Sequence, residues 1–460
     1  MIVSDAKRAF EALLGRDFFS TRPEDLILYG TDGTNDPTLR PDAVARPGNV
    51  NEAAGIIKIA RQYKIPVVPR GAGSSLSGGA LPVKGGVVCV MTRMDRILEI
   101  DSDNLVAVVE PGCVTAKFQE AVEAHGLFYP PDPASRDFST LGGNAAENAG
   151  GTRAVKYGVT RDYILGLEAV IGTGEIITTG VRTAKGVVGY DLTRLMVGSE
   201  GTLGIITKLI MRLIPAPAAK ETILAYYDDL YGAARTVAAL TAAKVVPATL
   251  EFMDQASIGC VADYRECGLN RDARALLLIE TDGPPAQAAA EAEVALQLAR
   301  EHGASEVRRA RDKAEADAMW TARRAISPAL FRVASGKFNE DIVVPRSRIP
   351  DMIKRMEEIS EERGIVIICF GHAGDGNIHV NAMFDKNDPD STARAHQAVH
   401  DIFEATLELG GTLSGEHGIG TTKRDLIGME LSSESLSLQT RIKTAFDPDG
   451  IMNPGKVFPQ

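Results

Sequence analysis

Residues 369–384, CFGHAGDGNIHVNAMF, place His372 and His379 seven positions apart around a glycine-rich bend. Strand side chains alternate, so His379, Asn381 and Met383 fall on one face of an extended segment. In a straight strand the odd spacing would send His372 to the other face. A bend at Gly374-Asp375-Gly376, where glycine accepts positive φ, folds it back toward the same side. The stretch is expected to be a hairpin presenting two imidazoles and an amide. Such a pair can be satisfied by hydrogen bonds or by a metal ion, and a metal asks for a third ligand. LSGEHGIG, 413–420, offers Glu416, beside His417 and between Gly415 and Gly418. His372, His379 and Glu416 make an N₂O set that suits Zn²⁺ or Mn²⁺ with open positions, and the same donors describe a non-haem iron oxygenase. An imidazole titrates near pH ~6.5 when unperturbed, which makes His417 a candidate general base.

Three other segments are rich in small residues. PRGAGSSLSGGA, 69–80, has Gly71 and Gly73 but Leu76 where a dinucleotide fingerprint needs its third glycine, and no G-K-[ST] occurs, so neither the Rossmann nor the P-loop pattern fits. What remains is an anion nest of backbone N–H groups able to meet a pyrophosphate, or a plain surface turn. PPDPASRDFSTLGGNAAENAGGTRAVKYG, 130–158, carries paired glycines at 142–143 and 150–151, and GSEGTLGIIT, 198–207, has the same character. A loop this long with so little to bury points to function. Only small residues let backbone approach a ring and a diphosphate together.

The elements that must position these segments follow from the patterning. Residues 43–70 read as strand, helix, strand, with Asn49 and Glu52 spaced as a capping pair. NLVAVVEPG reads as a strand, TAKFQEAVEAHG as a helix, and LEAVIGTGEIITTG as a strand pair. The expected fold class is α+β. Residues 1–40 form an N-terminal helical segment, 41–213 a domain rich in glycine loops, and LIPAPAAK, 213–220, a linker. Residues 221–410 alternate apolar strands with Ala/Glu-rich helices at 285–302 and 391–409, which suits an antiparallel sheet backed by helices; 411–460 is a turn-rich C-terminal segment.

A chain of 460 residues exceeds one compact core. Net charge −11 argues against a nucleic-acid partner, because phosphate contacts need clustered Lys and Arg. No apolar run reaches the roughly 18–20 residues of a membrane span, and the acid-containing start MIVSDAKRAFEALLGRD lacks a signal-peptide core. The expected location is cytoplasmic, or peripheral at the inner face of the membrane. The five cysteines are scattered without a C-x-x-C pair, as for reduced thiols in a chain with no iron–sulfur cluster of its own.

PRGAGSSLSGG, GHAGDGNIHVN, SGEHGIG and FDPDGIMNPGKVF together resemble the FAD-dependent D-2-hydroxyacid dehydrogenases. That group holds D-lactate dehydrogenases, D-2-hydroxyglutarate dehydrogenases and the large flavin subunit of glycolate oxidase, and the likeness covers nearly all the chain. The glycine segments resemble the FAD-binding domain of the flavoenzymes related to vanillyl-alcohol oxidase and p-cresol methylhydroxylase (PCMH); the rest resembles the FAD-linked oxidase C-terminal domain. The resemblance implies a PCMH-type FAD-binding domain at 41–213 and a substrate domain at 221–410. It implies that 411–460 completes the active site and returns to the FAD domain.

On the same basis Arg70, Gly71, Ala72, Gly73, Ser74, Ser75 and Ser77 would wrap the FAD pyrophosphate. Pro131, Asp132, Ser135, Gly142, Gly143, Asn144, Asn148, Gly150 and Gly151 would lie along the cofactor, with Gly201 and Ile205 nearby. Some relatives attach FAD through a histidine of the first loop; none lies between Pro69 and Ala80, so non-covalent FAD is expected. His372, His379 and Glu416 match the family's metal ligands. Asn381 would hydrogen-bond substrate, and Arg323 of MWTARRAISPAL would bind its carboxylate, with Arg324 the competing choice. Lys337 does not align cleanly with the lysine of relatives that take dicarboxylates, so D-lactate or glycolate is favoured. The expected reaction is hydride transfer from the 2-hydroxy acid to flavin N5, with metal-assisted hydroxyl activation and His417 as base. Electrons would pass to an electron-transferring flavoprotein, an iron–sulfur subunit or a quinone, in a homodimer or hetero-complex. The competing readings are a non-catalytic flavin electron-transfer subunit and the non-haem iron oxygenase.

Overall fold

The structure, a computed structural model, describes residues 2–34 and 38–459. The chain forms two compact units. The first comprises 1–149, 159–216 and 416–460, and the second comprises 150–158 and 217–415. The second is thus inserted in the sequence of the first. Residues 150–158, left with the FAD-binding part by the sequence, pack with the second unit.

In the first unit, strands Ala43–Ala45, Val87–Val90 and Val67–Arg70 run parallel, with Phe19–Ser20 antiparallel at the edge. Helix Val50–Tyr63 makes the crossover. Its entry is the predicted cap: Asn49 Oδ1 accepts from Glu52 N–H at 3.0 Å while the Glu52 carboxylate accepts from Gly48 N–H at 2.7 Å. Ile56, Ile57 and Ala60 project from one helix face onto Val67 and Val87, and Phe10 closes the core from the N-terminal helix. A five-stranded antiparallel sheet follows, and Ile164–Ile171 pairs with Ile176–Gly180 as the sequence predicts. The short helix α1 (Leu141–Glu147), capped by Thr140, carries the second glycine segment.

The C-terminal segment closes this unit. Asp447 accepts from the N–H groups of Ile451 and Met452, and Met452 lies in the core. Asn453 Nδ2 donates to Gly79 O at 2.9 Å and Glu200 O at 2.6 Å, and Lys456 Nζ donates to Leu81 O at 2.5 Å. The tail FDPDGIMNPGKVF is therefore a clasp on two of the glycine loops.

The second unit is a seven-stranded antiparallel sheet. Four of its strands concern the site: β1 (Thr249–Asp254), β2 (Gly336–Val343), β3 (Val366–His372) and β4 (Asn377–Phe384). One face packs Met253, Leu276, Leu278, Ile368, Phe370 and Met383 against helices that include α2 (Lys313–Arg324). Toward one end of the same face the apolar residues give way to acids, imidazoles and amides. Among the described residues no helix is long and apolar enough to cross a membrane, and all five cysteines are free thiols.

Candidate functional site

β3 and β4 form the predicted hairpin. The strand register pairs Phe370 with His379 and His372 with Asn377, so both imidazoles share one sheet face. The turn needs its glycines. Gly376 sits at φ +91°, and a Cβ on Gly374 would lie 2.6 Å from Val155 Cβ, with Cγ2 closer still. Val155 belongs to helix Ala154–Tyr157 of the 150–158 segment. That segment is pinned by Asp282, which pairs with Lys156 Nζ at 2.5 Å and accepts from Tyr157 Oη at 2.7 Å. The 150–158 end of the second glycine segment, with Gly150 and Gly151, is thereby laid against the histidine turn inside one unit.

His372 Nε2 and His379 Nε2 lie 3.3 Å apart, with rings at 84°. Two nitrogens at about 2.0–2.1 Å from a tetrahedral Zn²⁺ stand about 3.4 Å apart, so the pair is already spaced for one ion. Their third partner comes from the strap behind them. Asp341, fully buried on β2 and paired in register with His379, accepts from Ser414 Oγ at 3.1 Å and Gly415 N–H at 2.8 Å. Glu416 follows Gly415 directly, and one ligand atom from each of His372, His379 and Glu416 falls within 4.8 Å of the others. The donor set and its spacing fit a divalent cation.

Glu251 completes the arrangement. It stands on β1 opposite His372, fully buried, and its Oε1 lies 2.5 Å from His372 Nδ1. Its Oε2 accepts from Arg323 Nε at 2.9 Å and Arg323 Nη2 at 2.7 Å. Arg323 also lies over the Phe370 ring at 4.7 Å. One turn earlier on α2, Trp320 Nε1 donates to Glu280 at 2.6 Å. The structure thus places Arg323 against a buried carboxylate, while Arg324 is exposed with Nε on Trp320 O. Asn381 is fully buried; its Nδ2 reaches Ile368 O at 3.4 Å and its Oδ1 meets no hydrogen-bond partner among the described residues. Such an atom is costly unless a ligand meets it.

In the first unit the three glycine segments converge around α1. A Cβ on Gly71 would strike Thr140, and one on Gly142 would lie 2.5 Å from Pro111. Gly198 N–H and Glu200 N–H donate to Ala145 O and Ala146 O at 2.9 and 2.8 Å. Gly201, at φ +69°, rides on Pro69. The chain approaches its neighbours this closely because the glycines carry no side chain, which fits a cradle for a flat, diphosphate-bearing ligand.

Several residues assigned to that cradle have other partners. Arg70 lays its guanidinium against Gly73 of the same loop and donates from Nη1 to Thr31 O at 2.6 Å. Asp132 pairs with Arg136 at 3.1 Å and Pro131 O accepts from Gln119. Ser135 O accepts from Phe138 and Ser139 N–H. Asn144 donates to Thr115, and Asn148, at φ +55°, accepts from Arg161 N–H. The Ile205 side chain lies in the apolar core, which leaves only its backbone for a ligand. Ser75 and Ser77 bond one another at 3.2 Å, and Ser75 Oγ accepts from Gly79 N–H.

The segment carrying His417 is stitched to the first and third loops. Thr421 N–H donates to Ser77 O at 2.8 Å, while the fully buried Glu200 accepts from Ile419 N–H at 2.8 Å and Gly420 N–H at 2.7 Å. Gly418, at φ +81°, lies over two carboxyls; a Cβ there would be 2.7 Å from Glu147 and 3.0 Å from Glu200. Burial raises Glu200, an effect opposed by the Ile419 and Gly420 amides. Burial, then the Glu200 charge, raises Glu147 well above the usual carboxylate range, so Glu147 is the one that holds a proton. Burial pushes Lys456 down to about 8, against the pull of Asp32, Glu200 and Glu147.

Glu251, Asp341, Glu147 and Glu200 carry no motif signal of their own. The available hint was an acid at an inward position of an apolar strand, as in ATLEFMD and EDIVVP. The second acid–imidazole group, His400, Asp401 and Glu404, lies on the half-exposed helix Pro389–Glu408, with Asp401 paired to Arg363 at 2.6 Å.

A glycine-loop cradle in the first unit, and a paired-imidazole face on the antiparallel sheet of the second, are the features of a cofactor-dependent oxidoreductase. The chain belongs to the FAD-linked oxidase family: the FAD linked oxidases C-terminal domain matches residues 216–457, and an FAD binding domain matches 41–180. It is 45% identical to the glycolate oxidase subunit GlcD of Bacillus subtilis over 100% of this chain and 97% of that one. It is 37% identical to GlcD of Escherichia coli, covering 95% and 87%, and 34% identical to a D-lactate dehydrogenase of Anaerostipes hadrus, covering 94% and 91%. Among solved structures, p-cresol methylhydroxylase with bound substrate shares the fold at TM-score 0.82 and 18% identity, covering 98% and 96%. A 4-ethylphenol oxidase from Gulosibacter chungangensis does so at 0.80 and 21%, covering 99% and 97%.

Proposed function

We propose that this protein oxidises a D-2-hydroxy acid, D-lactate or glycolate in the first place, to the 2-oxo acid. The observation that carries the proposal is the grouping of His372, His379 and Glu416 within 4.8 Å of one another, beside the turn against which Val155 of the 150–158 segment packs. FAD held without a covalent bond would accept hydride, and a divalent ion such as Zn²⁺ or Mn²⁺ would act as Lewis acid toward the hydroxyl. Residues of the 70–77, 142–151 and 198–201 segments would hold the first, and His372, His379 and Glu416 the second.

The chain's own groups do the rest. Arg323 offers the substrate carboxylate the Nη1 edge that its ion pair with Glu251 does not use. Asn381 Oδ1 accepts a hydrogen bond from the bound substrate. His417, braced through Ile419 and Gly420 by Glu200, takes the hydroxyl proton on an imidazole nitrogen. Electrons then leave for a partner, an electron-transferring flavoprotein, an iron–sulfur subunit or a quinone; relatives named as subunits of glycolate oxidase support a protein partner. The proposed setting is the cytoplasm or the inner face of the membrane.

The test is an anaerobic panel of D- and L-2-hydroxy acids followed by loss of flavin absorbance. Rapid bleaching by a D-acid or glycolate is expected. Flavin that none of the acids reduces would refute the proposal and favour an electron-transfer role.

A further inference from the structure

Glu251 is fully buried and touches two residues of different assigned roles through different oxygens. Oε1 meets His372 Nδ1 at 2.5 Å, and Oε2 takes Arg323 Nε at 2.9 Å and Nη2 at 2.7 Å. An ionised carboxylate only accepts, so the imidazole nitrogen facing it carries the hydrogen. The His372 Nε2 lone pair is then directed to the side where His379 Nε2 stands 3.3 Å away. Without this acceptor either tautomer would serve and the ring would have two orientations. The register makes the contact obligatory: Glu251 and His372 are direct neighbours on adjacent strands.

The arginine is equally fixed. Its side chain is 12% exposed, lies over Phe370 at 4.7 Å, and is anchored by a helix whose Trp320 is hydrogen-bonded to a second buried acid, Glu280. Arg323 supplies the positive charge that lets Glu251 remain buried.

We propose that Glu251 is the positioning residue of the site. It holds His372 in the tautomer that ligates through Nε2 and, with its other oxygen, holds Arg323 in the orientation that presents Nη1. One carboxylate therefore couples ion affinity to the grip on the substrate carboxylate. This rests on the metal reading given under Proposed function. Carboxylates behind ligating imidazoles typically contribute about 10- to 100-fold in metal affinity.

The test compares FAD-loaded wild type with Glu251→Gln and Glu251→Asp, titrating Zn²⁺ and Mn²⁺ against a chromophoric chelator. Glu251→Gln should bind the ion about 10- to 100-fold more weakly, with FAD content unchanged, Glu251→Asp should fall between, and KM should rise as Arg323 loses its brace. Unchanged ion affinity in Glu251→Gln overturns the inference alone. A wild type that binds neither ion overturns the metal reading and the inference with it. A measurement on wild type covers a variant that does not fold. In ¹⁵N-histidine-labelled protein, with the His372 signal identified by its loss in His372→Gln, a proton on Nδ1 is expected, and a proton on Nε2 alone would overturn the inference.

Discussion

Replacing Gly415 with alanine should displace the strap that delivers Glu416. The backbone at this glycine is not in the left-handed region, so alanine is sterically permitted by its own φ and the effect comes from the neighbours. A Cβ here would lie 2.8 Å from Val343 Cγ2, with Asn377 Nδ2 closer still. Ordinary contact begins at 3.4 Å, so the methyl overlaps Val343 by 3.4 − 2.8 = 0.6 Å. Neither neighbour yields easily: Val343 is β-branched on a paired strand, and the Asn377 amide is tied to Ile342 O at 3.0 Å. The strap must move instead, loosening the bonds of Ser414 and Gly415 to Asp341. Overpacking of this kind costs about 1–3 kcal/mol, and a misplacement approaching ~1 Å at a reacting site costs up to about 100-fold in rate. Urea unfolding should report the first, and anaerobic flavin reduction by D-lactate the second, with FAD content unchanged. Gly259→Ala is the control, since nothing lies within 4 Å of a Cβ there and its helix should gain about 0.5–1 kcal/mol. A Gly415→Ala protein that reduces its flavin at the native rate would refute the reasoning.

Other perturbations separate the roles of the remaining acids. Glu147→Gln mimics a carboxyl that is already neutral and should keep stability near pH 7, whereas Glu200→Gln loses one of two amide acceptors and should cost about 1–3 kcal/mol in urea unfolding; equal losses would contradict this assignment. Asp254, half-buried and accepting from Ser257 and Cys369 N–H, is pushed up to about 6 by desolvation of its carboxyl. The folded state therefore binds the extra proton between pH ~4 and ~6, and stability falls as pH rises through that window. The rise from 3.8 to about 6 is worth about 3 kcal/mol, seen as the difference between wild-type and Asp254→Asn stability curves; parallel curves would count against it. His417→Ala should retain FAD and lose turnover, as judged by anaerobic flavin reduction, and near-normal turnover would remove His417 from the mechanism. Precipitation with trichloroacetic acid should leave colourless protein and a yellow supernatant, because no histidine lies between Pro69 and Ala80; a yellow pellet would show a covalent flavin.

The parts legible in the sequence are those whose physics is local. The hairpin follows from period-two alternation broken by Gly374-Asp375-Gly376, and the Asn49–Glu52 cap from a three-residue spacing. Glu251 was not legible. Its partner His372 lies 121 positions later, and within ATLEFMD it looks like one polar residue in an apolar strand. The motif FDPDGIMNPGKVF was visible, but its work as a clasp depends on carbonyls at Gly79, Leu81 and Glu200 that only the fold brings near. The placement of 150–158 escaped for the same reason: Asp282 and Gly374 meet it through tertiary packing, while its composition reads continuously with the glycine segment before it.

The route of the chain has a consequence for its biosynthesis. Asn453 reaches back 374 positions to Gly79, and Met452 enters the apolar core beside Val67. A ribosome adding roughly 5–20 residues per second needs roughly 20–75 s to make that stretch. During that interval the early half of the first unit waits with an unfilled core, while the inserted sheet, whose strands all lie between Ala219 and Phe384, has everything it needs to fold. The unit that emerges first is therefore the last to be completed, and nascent chains should depend on holding chaperones until the clasp arrives.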